Sequence, residues 1–368
     1  MAPPELTWRP PQPSVVGKVS PSLLATWKTC RLRVGFQLDP AASGLKRRGL
    51  RAAVGIVAHA VLERQFSSQE EFAAAWAAES SRAYEELARD WAPATPPAAQ
   101  NWPAWALTKH QVAQRVVRDG AVGATAASRS RGSASGRRKQ RPVAEPTGRT
   151  PMLPWRERWL EDAVLGLKGR PDLVEREGGV LTVADFKTGQ GDMTDDHRDQ
   201  LLIYAALVRS SLGELPARAE IRRPDGSTQA FGVRNEDVDD VARRASSARV
   251  LLNDAAVGRR RLEAAPGPDS CPSCPFRVAC RPFLQAYQPD WICGHVAAGR
   301  VVGTGLLGAQ RYLDLDVVAP RWRPRQLRLV GLPQQTAAPG QLWAVSDFEG
   351  TSATGFARWN TLTWRWPQ

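Results

Sequence analysis

Residues 163–189 read AVLGLKGRPDLVEREGGVLTVADFKTG, two strand-like runs joined by Gly178-Gly179, a pair suited to a tight hairpin turn. With the preceding PWRERWLE (154–161) they predict a three-strand meander. In VADFKTG, Asp185 and Lys187 stand two apart, so a strand puts both side chains on one face and Phe186 on the other. The hairpin brings Asp172, in KGRPDLV, toward Asp185 from the neighbouring strand. Two converging carboxylates beside a lysine suit phosphodiester hydrolysis. Hard oxygen ligands hold Mg²⁺ or Mn²⁺, the cation orients an attacking water and stabilises the developing charge, and the ammonium holds that water or neutralises that charge.

Downstream, HRDQLLIYAALVRSSLG (197–213) reads as an amphipathic helix on which Gln200 and Tyr204, four apart, share a face. A hairpin with its turn at Asp225-Gly226 and a helix over about 235–258 follow. Upstream, PSLLATWKTC (21–30) predicts a short helix capped by Ser22 and ended by Cys30. GLRAAVGIVAHAVLERQF (49–66) predicts a second, with Val54, Val57, Val61 and Leu62 at helical spacing, and further helices are expected at 69–90 and about 103–119. His59, four before Glu63 on that apolar helix, reads as a structural histidine more readily than as a ligand until another feature ties it to the site. The order of helices, meander, helix, hairpin and helix is an α/β arrangement around one mixed sheet.

Residues 1–20 are proline-rich and expected to be extended. The segment 121–149, with Arg129, Arg131, Arg137, Arg138, Lys139 and Arg141 and almost no large apolar residue, is expected to be a mobile basic loop, either a solvated linker or a phosphate-backbone contact. From 291 to 368 the texture turns to glycine-punctuated β segments, predicting a small all-β domain, OB-like, although an SH3-like barrel would read the same way. The expected organisation is therefore an extended segment 1–20, a main domain 21–290 and the β domain 291–368. Tryptophans such as Trp343 interleaved with arginines such as Arg323 suit stacking of bases and neutralisation of phosphates in that tail. The alternative is that the indoles fill a barrel core.

The chain has 368 residues, 50 Lys and Arg against 37 Asp and Glu, and a formal net charge of +13, which favours a polyanionic partner, DNA first. No run of 18 apolar residues exists and the N-terminal stretch has no signal-like apolar segment, so a cytoplasmic protein without membrane contact is expected. In a reducing compartment five cysteines point to metal ligation rather than disulfides. Cys271, Cys274 and Cys280 are spaced C-x2-C-x5-C and, with remote Cys30, make a four-thiolate soft site that zinc or an iron–sulfur cluster would accept. Cys293 falls outside this spacing.

GRPD, DFKTG about a dozen residues later, Q-x-x-x-Y on the next helix and an upstream G-x-x-x-H (Gly55 to His59) together resemble the PD-(D/E)XK nucleases of RecB type. This group includes the AddB nuclease domain and the CRISPR-associated adaptation nucleases. The resemblance spans roughly 20–285 and departs from the pattern at Pro171 and at the basic insertion. It implies a restriction-endonuclease-like mixed sheet flanked by helices. It also implies that His59, Asp172 and Asp185 ligate Mg²⁺ or Mn²⁺ with the Phe186 carbonyl, and that Lys187 is the catalytic lysine. Gln200 and Tyr204 would then support the site and contact the DNA strand, while Gly55 and Glu63 match weaker positions; Arg170, beside Asp172, is a further expected DNA contact. Members with one cysteine before the core, C-x2-C-x5-C after it and a phenylalanine two past the second cysteine, here Phe276, look like [4Fe-4S] nucleases, so the resemblance favours the cluster over Zn²⁺.

The implied activity is a metal-dependent DNA nuclease, expected to be an exonuclease on single-stranded or frayed DNA in repair, recombination or defence against foreign DNA. The competing reading is a non-cleaving DNA-end or single-strand binding module that partners a helicase or another nuclease. The sequence contains no G-x-x-x-x-G-K-[ST] motif, so any helicase would be another chain, for instance in a defence complex.

Overall fold

A computed structural model describes residues 8–62, 64, 66–91, 94–126, 152–187, 191–223, 225–320, 323–332, 337–350, 353–358 and 360–366. The chain opens with α1 (Pro21–Thr29), α2 (Arg31–Leu38), α3 (Leu50–Leu62), α4 (Gln69–Trp91) and α5 (Trp105–Ala126). Ser20, not Ser22, caps α1. Its hydroxyl accepts from the Leu23 amide at 3.3 Å, and Pro21 starts the helix, where a missing N–H leaves nothing unpaired. Cys30 ends α1 in extended conformation and α2 begins directly after it. Sequence reading did not anticipate α2, because Leu32, Val34, Gly35 and Phe36 are all buried and leave no amphipathic stripe to read. α3 buries Ala53, Val54, Val57, Ala58 and Val61 in one core with α4. Of the expected loop 121–149, residues 121–126 continue α5 and 127–149 lie outside the described residues.

The expected meander forms with one correction. After β1 (Trp155–Arg156), β2 (Leu160–Asp162), β3 (Leu167–Gly169), β4 (Leu173–Glu177) and β5 (Val180–Phe186) follow, so 163–177 is not one strand. β3 pairs with β2 in a separate ribbon, and β4 starts beyond Pro171, which has no amide hydrogen for a ladder. Gly178 and Gly179 turn the β4–β5 hairpin at φ 55° and 84°, which glycine adopts without strain. The helix α6 (Asp195–Leu212) crosses over to β6 (Arg218–Arg222), which lies parallel to β5, and β7 (Thr228–Gly232) completes a mixed sheet of order β1-β4-β5-β6-β7. Its other neighbouring pairs are antiparallel. α6 is not amphipathic over its middle. Residues 201–208 are all buried, because α6 packs against the sheet and also against α1 and α7 (Asn235–Ala256).

A cysteine-bearing segment and α8 (Arg281–Ala286) lead to β8 (His295–Leu307), β9 (Gln310–Ala319), β10 (Gln326–Val330), β11 (Leu342–Phe348), β12 (Thr354–Phe356) and β13 (Leu362–Arg365). These form one sheet of order β12-β10-β9-β8-β11-β13. β12 runs parallel to β10, and a bridge between Glu349 and Phe356 returns it to the end of β11. Val296, Ala298, Leu342, Ala344, Leu362 and Trp366 share an apolar core with Phe276, Val278 and Phe283 and with α3 and α4. The Trp366 Nε1–H donates to the Val278 carbonyl at 3.1 Å. Buried Arg277 donates to both carboxylate oxygens of Asp347 at 2.9 and 3.0 Å. Among the described residues no helix is long and apolar enough to cross a membrane.

The Arg277–Asp347 pair clamps the C-terminal sheet to the cysteine segment. Asp347→Ala leaves a buried guanidinium without its counter-ion and is expected to destabilise the protein by about 3 kcal/mol. Chemical unfolding of the two proteins checks this, and equal stability would show that the clamp contributes nothing.

Candidate active site

A cleft of about 770 Å³ opens where α1, α3, the β1–β2 connection, the start of β4, the end of β5 and the start of α6 meet. Asp185 and Lys187 point into it together, as strand alternation requires. Lys187 Nζ lies 2.7 Å from Asp185 Oδ2 and donates to Gln200 Oε1 at 3.0 Å. The Gln200 amide nitrogen donates to Asp185 Oδ1 at 2.8 Å and to Tyr204 Oη at 2.9 Å. Both ends of the Gln200 amide are thus used, which holds Lys187 and Asp185 in one geometry. Gly169 lies under the Tyr204 ring, where a Cβ would come within 2.8 Å of Cε1, so only glycine leaves that ring its place. Burial, then the nearby Asp185 charge, pushes the Tyr204 phenol above its usual range, and it stays protonated.

The β4–β5 register pairs Leu173 with Ala184, so one step further Asp172 faces Asp185. Asp172 Oδ2 accepts the Phe186 amide at 2.6 Å and lies 3.7 Å from His59 Nδ1. The Phe186 ring sits on the other face, under the Arg115 guanidinium at 4.9 Å. Asp185 is 2 % exposed, and its carboxyl is pushed up to about 6, first by desolvation and then by the Asp172 charge.

Sequence reading missed Glu157. Its backbone is left-handed at φ 49°, its amide donates to the Asp172 carbonyl at 3.1 Å, and its Oε1 lies 3.9 Å from His59 Nδ1. Arg170, half-exposed in the cleft, places Nε 2.7 Å from Glu157 Oε2. Among the described residues, His59, Glu157 and Asp172 are the one trio of His, Cys, Asp or Glu side chains whose ligand atoms all lie within 4.8 Å of one another. Only the β1–β4 register, Arg156 opposite Leu173, reveals that position 157 meets position 172. Gly55 lines the cleft, while Glu63, Thr188 and Gly189 lie outside the described residues.

Two expected DNA contacts are corrected. Arg323 is buried, donating from Nε to the Val296 carbonyl at 2.9 Å and stacking over Phe348, and Trp343 is buried in the C-terminal sheet's own core. Neither reaches a strand from outside. Alternation along β11 points Trp343 inward, and Arg323 folds back across the sheet.

Cys30, Cys271, Cys274 and Cys280 line one small cavity with Phe276, Arg33 and Arg277. Arg33 donates to Ser273 Oγ and its carbonyl at 3.4 Å each, bracing the loop between two cysteines, while its buried Nε has no hydrogen-bond partner. Burial pushes the Cys274 thiol up to about 11 and Cys280 higher still, so a bound cation is needed to hold both as thiolates. Cys293 lies on the C-terminal side of this segment, its carbonyl accepting from Tyr287 Oη at 3.4 Å.

A family model described as the PD-(D/E)XK nuclease superfamily matches residues 18–281, which contain every residue of this site. The chain belongs to the PD-(D/E)XK nuclease superfamily. A search of curated proteins finds no match. Members of this superfamily are phosphodiesterase nucleases that use divalent metals, and here the His59, Glu157 and Asp172 trio offers one nitrogen and hard oxygens to such an ion.

The raised Asp185 pKa has a signed consequence. The folded chain holds that proton up to about pH 6, whereas the unfolded chain releases it near 3.8, so the contribution of Asp185 to stability falls as pH rises through that window. In EDTA, Asp185→Asn is expected to melt higher than the parent protein by a few degrees at pH 7.5, and by much less at pH 4.5. Thermal melts at both values check it; a variant less stable at pH 7.5 would contradict the assignment. The same proton competes with metal, so Mn²⁺ affinity should fall below about pH 6.

Proposed function

We propose that the chain is a metal-dependent DNA nuclease, an exonuclease on single-stranded or frayed DNA. The observation that carries this reading is the continuous arrangement of Lys187, Asp185 and Gln200 beside the His59, Glu157 and Asp172 trio. The donor set fits a divalent cation. Asp172 and Asp185 face each other across adjacent strands with the Lys187 ammonium as the near cation, and that residual repulsion favours a further positive charge.

His59, Asp172 and Asp185 would hold the ion, with Glu157 as a further carboxylate and the Phe186 carbonyl at the rim. When bound, the ion supplies Lewis-acid activation of water and neutralisation of charge on the phosphate. The chain's own residues do the rest. Lys187, fixed by Asp185 and Gln200, presents an ammonium where water would attack phosphorus. Gln200 keeps that ammonium from swinging away, and neutral Tyr204 anchors Gln200 in turn. Hydrolysis forms the new P–O bond from water and breaks the bond to the leaving sugar oxygen, which takes up a proton. Arg170, half-exposed at the rim, is positioned for a phosphate beside the scissile one.

A [4Fe-4S] cluster on Cys30, Cys271, Cys274 and Cys280 belongs to the same proposal. These sulfurs line one cavity with Phe276, two past Cys274 as in the [4Fe-4S] members the chain resembles, which favours the cluster over Zn²⁺. The unpaired Arg33 Nε suits the net negative charge of a four-thiolate centre. The C-terminal strands, with β12 parallel to β10 and bridged back toward β11, support an OB-like barrel as a unit over 291–368 after a nuclease domain over 21–290. Such thiolates persist in a reducing compartment, which supports the reading of a cytoplasmic protein acting in repair, recombination or defence, with any helicase supplied by a separate chain.

The test is cleavage of end-labelled single- and double-stranded DNA with Mn²⁺, Mg²⁺ or EDTA. The expected result is metal-dependent cleavage that Lys187→Ala lowers about a hundredfold or more while fold and cysteine site stay intact. Binding without cleavage under every condition would favour the non-cleaving end-binding module instead. Anaerobically purified protein should be brown with about four irons per chain, and colourless protein containing zinc would overturn the cluster.

A further inference from the structure

The arginine and tryptophan expected to hold a strand in the C-terminal sheet are buried, so selectivity for unpaired DNA needs another seat. Trp159 offers one. It is 58 % exposed, and among the described residues it is the one tryptophan with more than half of its surface open to solvent. It lines the same cleft as His59, Glu157 and Asp172. The local backbone explains its direction. Glu157 takes a left-handed turn immediately after β1, Arg158 folds back over the buried Trp155 ring at 4.5 Å, and Trp159 is left facing the cleft just before β2. Across from it, α3 offers Ala52, Ala60 and Ile56, the last 43 % exposed, so the wall beside the carboxylates is apolar.

Three physical arguments converge on one ligand class. Glu157, Asp172, Asp185 and Asp196 line the cleft with Lys187 and Arg170, both already engaged by carboxylates, so the net attraction for a phosphate backbone without a metal ion is small and a base contact adds to it. An open indole stacks on any base, because every base has a π-face. In a duplex those faces are hidden in the stack, so an indole in this cleft meets a base face only where the strand is unpaired.

We propose that Trp159 is the stacking platform for an unpaired base beside the scissile phosphate, and that it makes the cleft selective for single-stranded DNA. The proposal rests on the nuclease reading for the position of that phosphate, but its readout is binding. Fluorescence anisotropy would measure affinity for a short labelled single strand and for the matching duplex, with Mn²⁺ and in the Lys187→Ala background so that no strand is cut. Trp159→Ala is expected to weaken single-strand binding roughly tenfold to a hundredfold and to change duplex binding by less than about twofold. Trp159→Phe, which keeps a ring, should recover most of the loss. The side chain is exposed, so both variants should fold, and thermal melting would verify it. Unchanged single-strand affinity would overturn the proposal and leave the indole to another partner, and an equal loss on both DNA forms would overturn it as well. Loss of single-strand affinity in a protein whose parent never cleaves DNA would remove the nuclease reading while the stacking role stands.

Discussion

Two carboxylates are forced together at the end of a buried hairpin, and most of the molecule can be understood from that constraint. The β4–β5 register leaves Asp172 opposite Asp185, and burial alone would expel both charges. Instead the Phe186 amide takes one oxygen of Asp172, and Lys187 with Gln200 takes both oxygens of Asp185. Desolvation first, and then the repulsion within the pair, still lift the Asp185 pKa. A site that keeps such unrelieved negative charge in low dielectric is poised for a cation.

The rest of the fold keeps that hairpin end in place. α6, buried nearly all round in its middle, fixes Gln200 and Tyr204 because its neighbours on several sides leave it no freedom to rotate. Cys30 sits at the joint between α1 and α2, and α1 carries one wall of the cleft while the joint meets the cysteine segment from the far end of the main domain. A centre bound by these four cysteines, as proposed, would close a long loop around the cleft, and the C-terminal sheet packs on the cysteine segment through Trp366 and Arg277. Loss of the cysteine site should loosen the active site although no cysteine touches it.

What could be read in the sequence follows from how local each signal is. Asp185 with Lys187 and Gln200 with Tyr204 rest on spacings of two and four residues, and strand and helix geometry turn those spacings into shared faces directly. Asp172 needed only a glycine hairpin. Glu157 depends on which strand pairs with β4 and on a left-handed backbone at a non-glycine position, and neither leaves a periodic trace. The grouping of Cys271, Cys274 and Cys280 was legible because their spacing is itself a pattern, and the fold brings Cys30 to the same cavity. The tail was legible as β structure, but alternation there divides residues into two sets without saying which faces inward, so Trp343 and Arg323 were placed outside when both lie within. α2 and the uniform burial of α6 escaped for a related reason: an element enclosed on all sides has no polar face to mark its period.

The central claim is that one divalent cation sits among His59, Glu157, Asp172 and Asp185, next to Lys187. The most direct test is an anomalous difference map from crystals soaked in Mn²⁺. The account predicts a peak in contact with Asp172 and Asp185 and within reach of His59, and no such peak in crystals of Asp172→Asn. A peak bound elsewhere with this cleft empty, or one that persists unchanged in Asp172→Asn, would contradict it.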